Sequence, residues 1–309
     1  MDTASLEGKT ALKEKILALK NRLKAVILTH NYQIPEIQEL ADFCGDSLEL
    51  AKISKGLKEK VIVFCGVKFM AETAKILSPR KRVFLPVLGA GCPLADTITP
   101  LELIELKNKY PDAWVVSYVN TSAEIKSLSD VCCTSSNAVS VVKNVPADRI
   151  IFIPDKNLGA WVKKNVPEKE ITTHSGFCYV HEQFSLNDLK RARELYPPAK
   201  IMVHPECRSE LQDAADFVVS TSGMLKAAKK SSADIFIIGT EKDMIYRLEK
   251  ENPEKKFYSL GNTRACIDMK KTTLDELYKA LLKERYEITI DKSIIDKADR
   301  ALKEMIKYV

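Results

Sequence analysis

One motif recurs three times along this 309-residue chain. AVILTHNYQ begins at residue 25, AWVVSYVNT at 113 and KIMVHPECR at 200, each an apolar run that ends in polar residues. A period near 87 residues is the length of one supersecondary unit, so the chain is constrained to build the same small domain three times. The polar positions superpose as well as the apolar ones. His30, Tyr118 and His204 are equivalent, as are Tyr32, Asn120 and Glu206, then Ser47, Ser135 and Thr221, then Lys68, Lys156 and Lys242. Cys92, Cys178 and Cys266 follow one another at gaps of 86 and 88 residues. Packing alone would preserve only the apolar pattern. Matching imidazoles, hydroxyls, lysines and thiols point to a repeat built around a site.

Each repeat reads as strand, helix, strand, helix, strand. In the first, AVILTH precedes a helical stretch from about Pro35 to Lys55, then VIVFCG, a helix over KFMAETAKIL, and RVFLPVLG leading to Cys92. The second runs from WVVSYV through a helix near TSAEIKSLS, a short apolar segment, the helix SNAVSVVKNV, the strand RIIFIP and a helix at LGAWVKKN to Cys178. The third runs from KIMVHP through FVVST, the helix GMLKAAKKS and the strand DIFIIG to Cys266. Near-continuous apolar strands alternating with amphipathic helices predict an α/β fold, three α/β/α domains with parallel sheets covered on both faces. The expected boundaries are 1–108, 109–196 and 197–283. The segment 284–309, ending in an amphipathic helix, is expected to dock on the first repeat.

A hydrophobic fraction of 45% and a charged fraction of 29% are those of a globular enzyme. No apolar run approaches the roughly 18 residues that span a bilayer, and the N-terminus lacks a secretory apolar core, so no membrane partner and a cytoplasmic location are expected. The net charge of +6 is mild, and lysines alternate with glutamates on helix faces such as ALKEKILALKNRLK. That is a solvated surface and predicts no nucleic-acid partner.

Eight cysteines in such a chain suggest metal binding, catalysis or burial in preference to disulfides. Cys44, Cys65, Cys132 and Cys133 lie in apolar or helical contexts and read as small buried hydrophobes. Cys207 adjoins Glu206 and stays open. Ligands of parallel sheets bind beyond the carboxyl ends of the strands, where His30, Tyr118 and His204 fall. Domains facing inward about a pseudo-threefold axis would bring these sets together. Three thiolates from separate domains suit a soft metal centre. Zinc sites usually show ligands paired closely in sequence, whereas a [4Fe–4S] cluster accepts distant ones, and three cysteines leave one iron open as a Lewis acid. The competing reading makes the three cysteines core residues that coincide through duplication. His30, His204 and His181 suit carboxylate binding, and Tyr32 and Glu206 suit proton transfer. His174 reads as structural. Ser135, Ser136, Thr221, Ser222 and Gly223 sit just before helices, where hydroxyls and amides accept phosphate or carboxylate, with helix capping as the alternative. Ser47 has the corresponding place in the first repeat.

With HNYQ at 30–33, GDSLELA at 45–51, YVNTSAEIK at 118–126, TSSNA at 134–138, PDKNLG at 154–159, CYVHE at 178–182, HPEC at 204–207, STSGM at 220–224 and MKKTTLDELY at 269–278, the chain resembles the quinolinate synthases. That resemblance implies three α/β/α domains about a pseudo-threefold axis and a central [4Fe–4S] cluster on Cys92, Cys178 and Cys266. It implies condensation of iminoaspartate with dihydroxyacetone phosphate to quinolinate, phosphate and two waters, in NAD biosynthesis. Tyr32, Glu206 and His204 would be catalytic. His30, Ser47, Tyr118, Asn120, Ser135, His181 and Thr221 would contact substrate. Iminoaspartate would come from a separate aspartate oxidase or aspartate dehydrogenase. The chain departs from many relatives at Ile267 and Asp268, where Pro-Asn is expected, and it lacks a CxxCxxC run, so redox control of that kind is not expected. An open-iron dehydratase acting on a hydroxy acid, as aconitase does, and an iron–sulfur sensor or scaffold are the alternatives. The first needs no triose phosphate; the second needs no His, Tyr and Glu set.

Overall fold

In a computed structural model that describes residues 3–308, each copy of the repeat forms a four-stranded, all-parallel sheet. The first contains β1 (Ala25–His30), β2 (Phe43–Gly45), β3 (Val61–Cys65) and β4 (Arg82–Phe84), in the order β2-β1-β3-β4. The second contains β5 (Trp114–Tyr118), β6 (Val131–Cys133), β7 (Arg149–Ile153) and β8 (Glu170–Thr173), in the order β6-β5-β7-β8. The third contains β9 (Lys200–Val203), β10 (Phe217–Val218), β11 (Ile235–Gly239) and β12 (Lys256–Ser259), in the order β10-β9-β11-β12. The register repeats as faithfully as the order. Leu28 faces Phe43, Val116 faces Val131 and Met202 faces Phe217, while Ile27, Val115 and Ile201 face Val63, Ile151 and Ile237. These partners are the residues that the sequence repeat equates.

Helices cover the sheets, so the central strands are apolar on both faces. All of β1 and β3 is buried. In the first sheet Ile27, Val63 and Cys65 pack with Ile16 and Leu19 of the helix Thr3–Leu23 and with Leu274, Leu277 and Leu281 of the helix Leu274–Lys283. Val115, Ile151 and Ile153 carry the matching core of the second sheet with Ile98 and Leu103, and Ile201, Val203 and Ile237 that of the third with Leu189 and Leu211.

The helical stretch expected from Pro35 to Lys55 is interrupted by a strand. The segment divides into a helix Pro35–Gln38, the edge strand β2 and a helix Ser47–Gly56. Asp42 causes the break. Its carboxylate accepts the Ile27 amide at 2.8 Å, its own amide donates to the Ile27 carbonyl at 3.0 Å, and this pair starts a strand beside β1. Asp46 then caps the next helix by accepting the Glu49 amide at 2.9 Å. Asp130 and Asp216 hold Val115 and Ile201 in the same two-bond manner, at 2.8 and 2.9 Å through their carboxylates. Each repeat therefore has four strands and not the three that apolar periodicity suggests.

By proximity the chain forms two compact units. One holds the chain through Cys92 with Cys266–Ile295 and carries the first sheet; the other holds Pro93–Ala265 with the chain from Asp296 onward and carries the second and third sheets. In the first unit the stretch after Lys283 lies along β4, with Glu287 bridged to Phe84 and Arg82 paired to Glu284 at 2.6 Å and Glu287 at 2.9 Å. The final helix, Lys292–Lys307, buries Ala298, Ala301, Leu302 and Met305. Ser140 donates to the Tyr308 carbonyl at 2.9 Å. Among the described residues no helix is long and apolar enough to cross a membrane.

Asp130→Ala strands the Val115 amide without its acceptor, so unfolding stability should fall by about 1–3 kcal/mol, read from thermal or urea denaturation. An unchanged midpoint would show that the edge clamp contributes nothing.

Candidate active site

The first loop of each repeat carries the polar set. In the third repeat β9 ends at Val203, and a tight turn follows in which the Cys207 amide donates to the His204 carbonyl at 2.9 Å. The Glu206 amide donates to His204 Nδ1 at 3.3 Å, which leaves the imidazole proton on Nε2, 3.2 Å from the Ser135 hydroxyl. The first repeat is built alike. Gln33 N–H reaches the His30 carbonyl at 3.0 Å, Tyr32 N–H reaches His30 Nδ1 at 3.1 Å, and the two rings meet edge to face at 4.6 Å. In the second repeat Tyr118 closes β5 and the Thr121 hydroxyl donates back to its carbonyl at 3.0 Å.

Glu206 is the hub of the second unit. His181, on the 3-10 turn His181–Gln183, places Nδ1 2.6 Å from Glu206 Oε2 and Nε2 2.8 Å from the Thr240 hydroxyl. Asn120 Nδ2 reaches Glu206 Oε1 at 3.4 Å, and the Tyr118 hydroxyl donates to the same carboxylate. The His181 and His204 rings stack at 4.6 Å. Both Glu206 and His204 are buried. For Glu206, burial pushes the carboxyl up, but His204, His181 and the Tyr118 hydroxyl outweigh it and hold the pKa down to about 2. Burial drives the His204 imidazole down to about 3, against the Glu206 charge that raises it and with His181 assisting the fall. A neutral His204 agrees with the Nδ1 acceptor geometry.

Cys178, His181 and Glu206 offer donor atoms within 4.8 Å of one another. Two ligands of one tetrahedral ion at about 2.0–2.2 Å from it lie roughly 3.4 Å apart. The 2.6 Å His181–Glu206 contact is shorter, a direct contact of the two side chains with no room for an ion shared between them. The thiol is left as the soft donor.

The cysteine loops repeat too. Lys68, Lys156 and Lys242 donate their amides to the carbonyls of Ala90, Gly176 and Arg264 at 2.8, 2.7 and 2.9 Å. Each acceptor lies two residues before Cys92, Cys178 or Cys266. Gly176 has no room for a side chain, because a Cβ there would meet the Thr97 hydroxyl at 2.3 Å and the Pro154 carbonyl at 2.6 Å. Asp155, buried, accepts the Cys178 amide at 3.2 Å and caps the helix Lys156–Asn165 through the Leu158 amide at 2.7 Å. Burial, then Glu206, pushes its carboxyl up.

None of the eight cysteines is in a disulfide. Cys65, Cys132, Cys133 and Cys207 are buried, and burial pushes the first two thiols up to about 12 and the others well above the ordinary range. Cys92, Cys178 and Cys266 are half-buried, which sets them apart from core thiols. Cys44 corrects one expectation: it is half-buried because it lies on the edge strand β2, its thiol 3.5 Å from Asn31 Oδ1.

The second unit thus gathers Tyr118, Asn120, Ser135, Cys178, His181, His204 and Glu206. The first joins His30 to Tyr32 and places Ser47 at the first residue of its helix. Thr221 opens the helix Thr221–Lys230, capped by Ser220, so Thr221, Ser222 and Gly223 lie inside the first turn and not before it. Residues that sequence reasoning missed support these. Lys270 donates to the Tyr32 carbonyl, Gln33 donates to the Met269 sulfur at 3.4 Å and Lys271 donates to the Gly89 carbonyl at 2.7 Å, so the short helix Ile267–Lys270 after Cys266 braces the His30 turn. Asp268, at the departure from the Pro-Asn pattern, pairs with Lys271 at 2.6 Å. Asp155 was legible only as the neighbour of the repeated Lys156.

Three copies of a parallel α/β sheet, with a buried carboxylate–imidazole knot at the strand ends, define an α/β enzyme of triplicated domain. The family described as Quinolinate synthetase A protein matches residues 14–307. A quinolinate synthase of Caldicellulosiruptor saccharolyticus is 52% identical over 296 residues, covering 96% of this chain and 98% of that protein. One from Thermodesulfovibrio yellowstonii is also 52% identical over 296 residues, with the same coverage, and one from Pyrococcus abyssi is 49% identical over 295 residues, 95% of this chain and 98% of that one. The chain belongs to the quinolinate synthase family of enzymes.

The two low pKa values give an acid limb. His204 is near 3 when folded against an ordinary 6.5, so the unfolded chain binds the extra proton, and stability present above about pH 6.5 is lost as pH falls toward 3. Glu206 adds a loss from about 4.5 toward 2 in the same direction. The metal-free chain should lose up to about 1.4 kcal/mol per pH unit below pH 6 through His204, and His204→Gln should flatten that limb. Equal slopes for the two chains would remove His204 from it.

Proposed function

We propose that this chain condenses iminoaspartate with dihydroxyacetone phosphate to quinolinate, phosphate and two waters, in the cytoplasm, as a step of de novo NAD biosynthesis. Atoms balance without an oxidant. The observation that carries the reading is Glu206 with His181 at 2.6 Å and the Tyr118 hydroxyl on the same carboxylate, a buried proton-handling group where the family's activity needs one.

We assign a [4Fe–4S] cluster to Cys92, Cys178 and Cys266. Support comes from donor chemistry: three half-buried thiols at matching loop positions suit a soft centre, while four of the other five are sealed in cores. When bound, such a cluster on three cysteines supplies one iron as a Lewis acid toward substrate oxygen.

The chain's own groups then divide the work. Ser47, Ser135 and Thr221, with nearby amides, bind the phosphate and carboxylates, the first and last from helix starts. His204 presents a neutral Nε2–H and so donates a hydrogen bond without adding charge. His30 holds Tyr32, whose hydroxyl serves proton transfer. Tyr118, Asn120 and His181 orient substrate and Glu206. A carboxylate held near 2 is a weak base by itself, so the Glu206–His181 pair moves the proton as a unit. Iminoaspartate hydrolyses readily, and an aspartate oxidase or aspartate dehydrogenase is the partner that would supply it.

Anaerobic purification with iron and sulfide analysis, followed by an assay for quinolinate, tests this reading. Serine at Cys92, Cys178 or Cys266 should abolish the cluster, whereas Cys65→Ala should keep it. Product formed without dihydroxyacetone phosphate, or wild-type chain free of iron, would overturn the assignment. Glu206→Gln should retain iron and lose about 10²–10⁴ in turnover, and Tyr32→Phe should slow a different intermediate. Full activity in both would take them out of the mechanism.

A further inference from the structure

Three buried side chains that no substrate role absorbs stand at one place in the repeat. Gln38, Lys126 and Gln212 follow one another at 88 and 86 residues, the offsets that relate Tyr32, Asn120 and Glu206. All three are buried, and Lys126, wholly sealed from solvent, is the one buried lysine among the described residues.

What they touch also repeats. Gln38 Nε2 donates to the carbonyls of Asn31 at 3.1 Å and Gln33 at 2.8 Å, the neighbours of Tyr32 on either side. Gln212 Nε2 donates to Pro205 at 2.8 Å and Cys207 at 2.7 Å, the neighbours of Glu206. Lys126 Nζ donates to the carbonyl of Thr121, the residue after Asn120. The Cys44 thiol, 3.7 Å from Gln38 Oε1, agrees with that amide's orientation. A turn that aims one side chain into a site must point neighbouring carbonyls inward, where an unmet acceptor is costly. One buried donor answers two of these carbonyls in the first and third repeats and one, that of Thr121, in the second, and thereby fixes the turn.

We propose that Gln38, Lys126 and Gln212 are positioning residues that hold the tips carrying Tyr32, Asn120 and Glu206. This deepens the reading above and rests on it for the role of those three tips; the clamp itself rests on its hydrogen bonds. Glutamine serves twice and lysine once, so the two side chains are interchangeable as donors, a relation that plain structural importance does not predict.

The test compares Lys126→Met, Lys126→Gln, Gln212→Met and Gln212→Lys in the full chain. Hydrogen exchange is followed by mass spectrometry over peptides containing 118–121 and 204–207, beside kcat and KM for quinolinate formation. Each methionine variant should exchange faster, by about tenfold, in its own turn only, since one lost local clamp opens one segment. Its kcat should fall about tenfold or more, because a shifted tip misaligns the reacting groups, with KM within about threefold. Lys126→Gln and Gln212→Lys should recover most of both losses. Methionine variants with wild-type exchange and kcat overturn the proposal, as does a swap variant as damaged as its methionine counterpart. Should a methionine variant fail to fold, the swap decides: protected exchange supports the clamp and exchange at the unprotected rate refutes it. A wild-type chain that makes no quinolinate sinks the functional reading while exchange still judges the clamp.

Discussion

Parallel pairing is the constraint on which this molecule depends. Strands that run one way end at one side of a sheet, so the loop after β1, β5 or β9 always leaves from the same edge and carries its side chains to an equivalent place. Duplicating the sheet triplicates that loop. His30, Tyr118 and His204 mark the three strand ends, and the residue two beyond each is held by a local bond or turn. The same logic governs the thiols, whose loops are tied to the following helix by one amide-to-carbonyl bond per repeat. Chemistry is distributed over three scaffolds that fold for identical reasons.

How much of this was legible beforehand depends on which force decided each element. The central strands could be read because burial on both faces writes an unbroken apolar run, and the repeat equated residues that the sheets then paired in register. β2 was lost inside a helical stretch, and β6 and β10 stood out only as a short apolar segment and FVVST. They are two or three residues long, and what makes them strands is a carboxylate, Asp42, Asp130 or Asp216, bonded to the neighbouring strand's amide. Cys44 was misjudged for the same reason, since an edge strand leaves one side open. His204, Glu206, Tyr118 and Asn120 were singled out because polar residues stood where packing had no use for them, and the structure brings these four together. Asp155, Met269 and Lys270 were not, because their roles run through backbone amides and carbonyls that side-chain identity does not reveal.

The electrostatics of the knot follow from burial more than from any single pair. Sealing Glu206 from water disfavours its charge, and two imidazoles and a phenol are needed to restore it. Sealing His204 disfavours its cation, and no partner fully offsets that. The result is one anion with His181 beside it and one neutral donor with its Nε2–H aimed at Ser135. Glu206 is thereby kept sheltered by the Asn120 amide and the Tyr118 hydroxyl.

The repeats differ where chemistry requires it and agree where geometry requires it. At the strand end and two residues on, the pairs are His30 with Tyr32, Tyr118 with Asn120, and His204 with Glu206. Those changes alter acidity, charge and reach. The carbonyl after the second member keeps a buried donor in every repeat, and the edge aspartate and the lysine amide bond persist unchanged. A duplicated domain can diversify its tips only while the backbone under them stays fixed, because a one-residue slip in a parallel strand turns every side chain to the opposite face. Retained backbone bonds are therefore the condition that let three copies of one loop take up a tyrosine, an amide and a carboxylate without losing the fold that aims them.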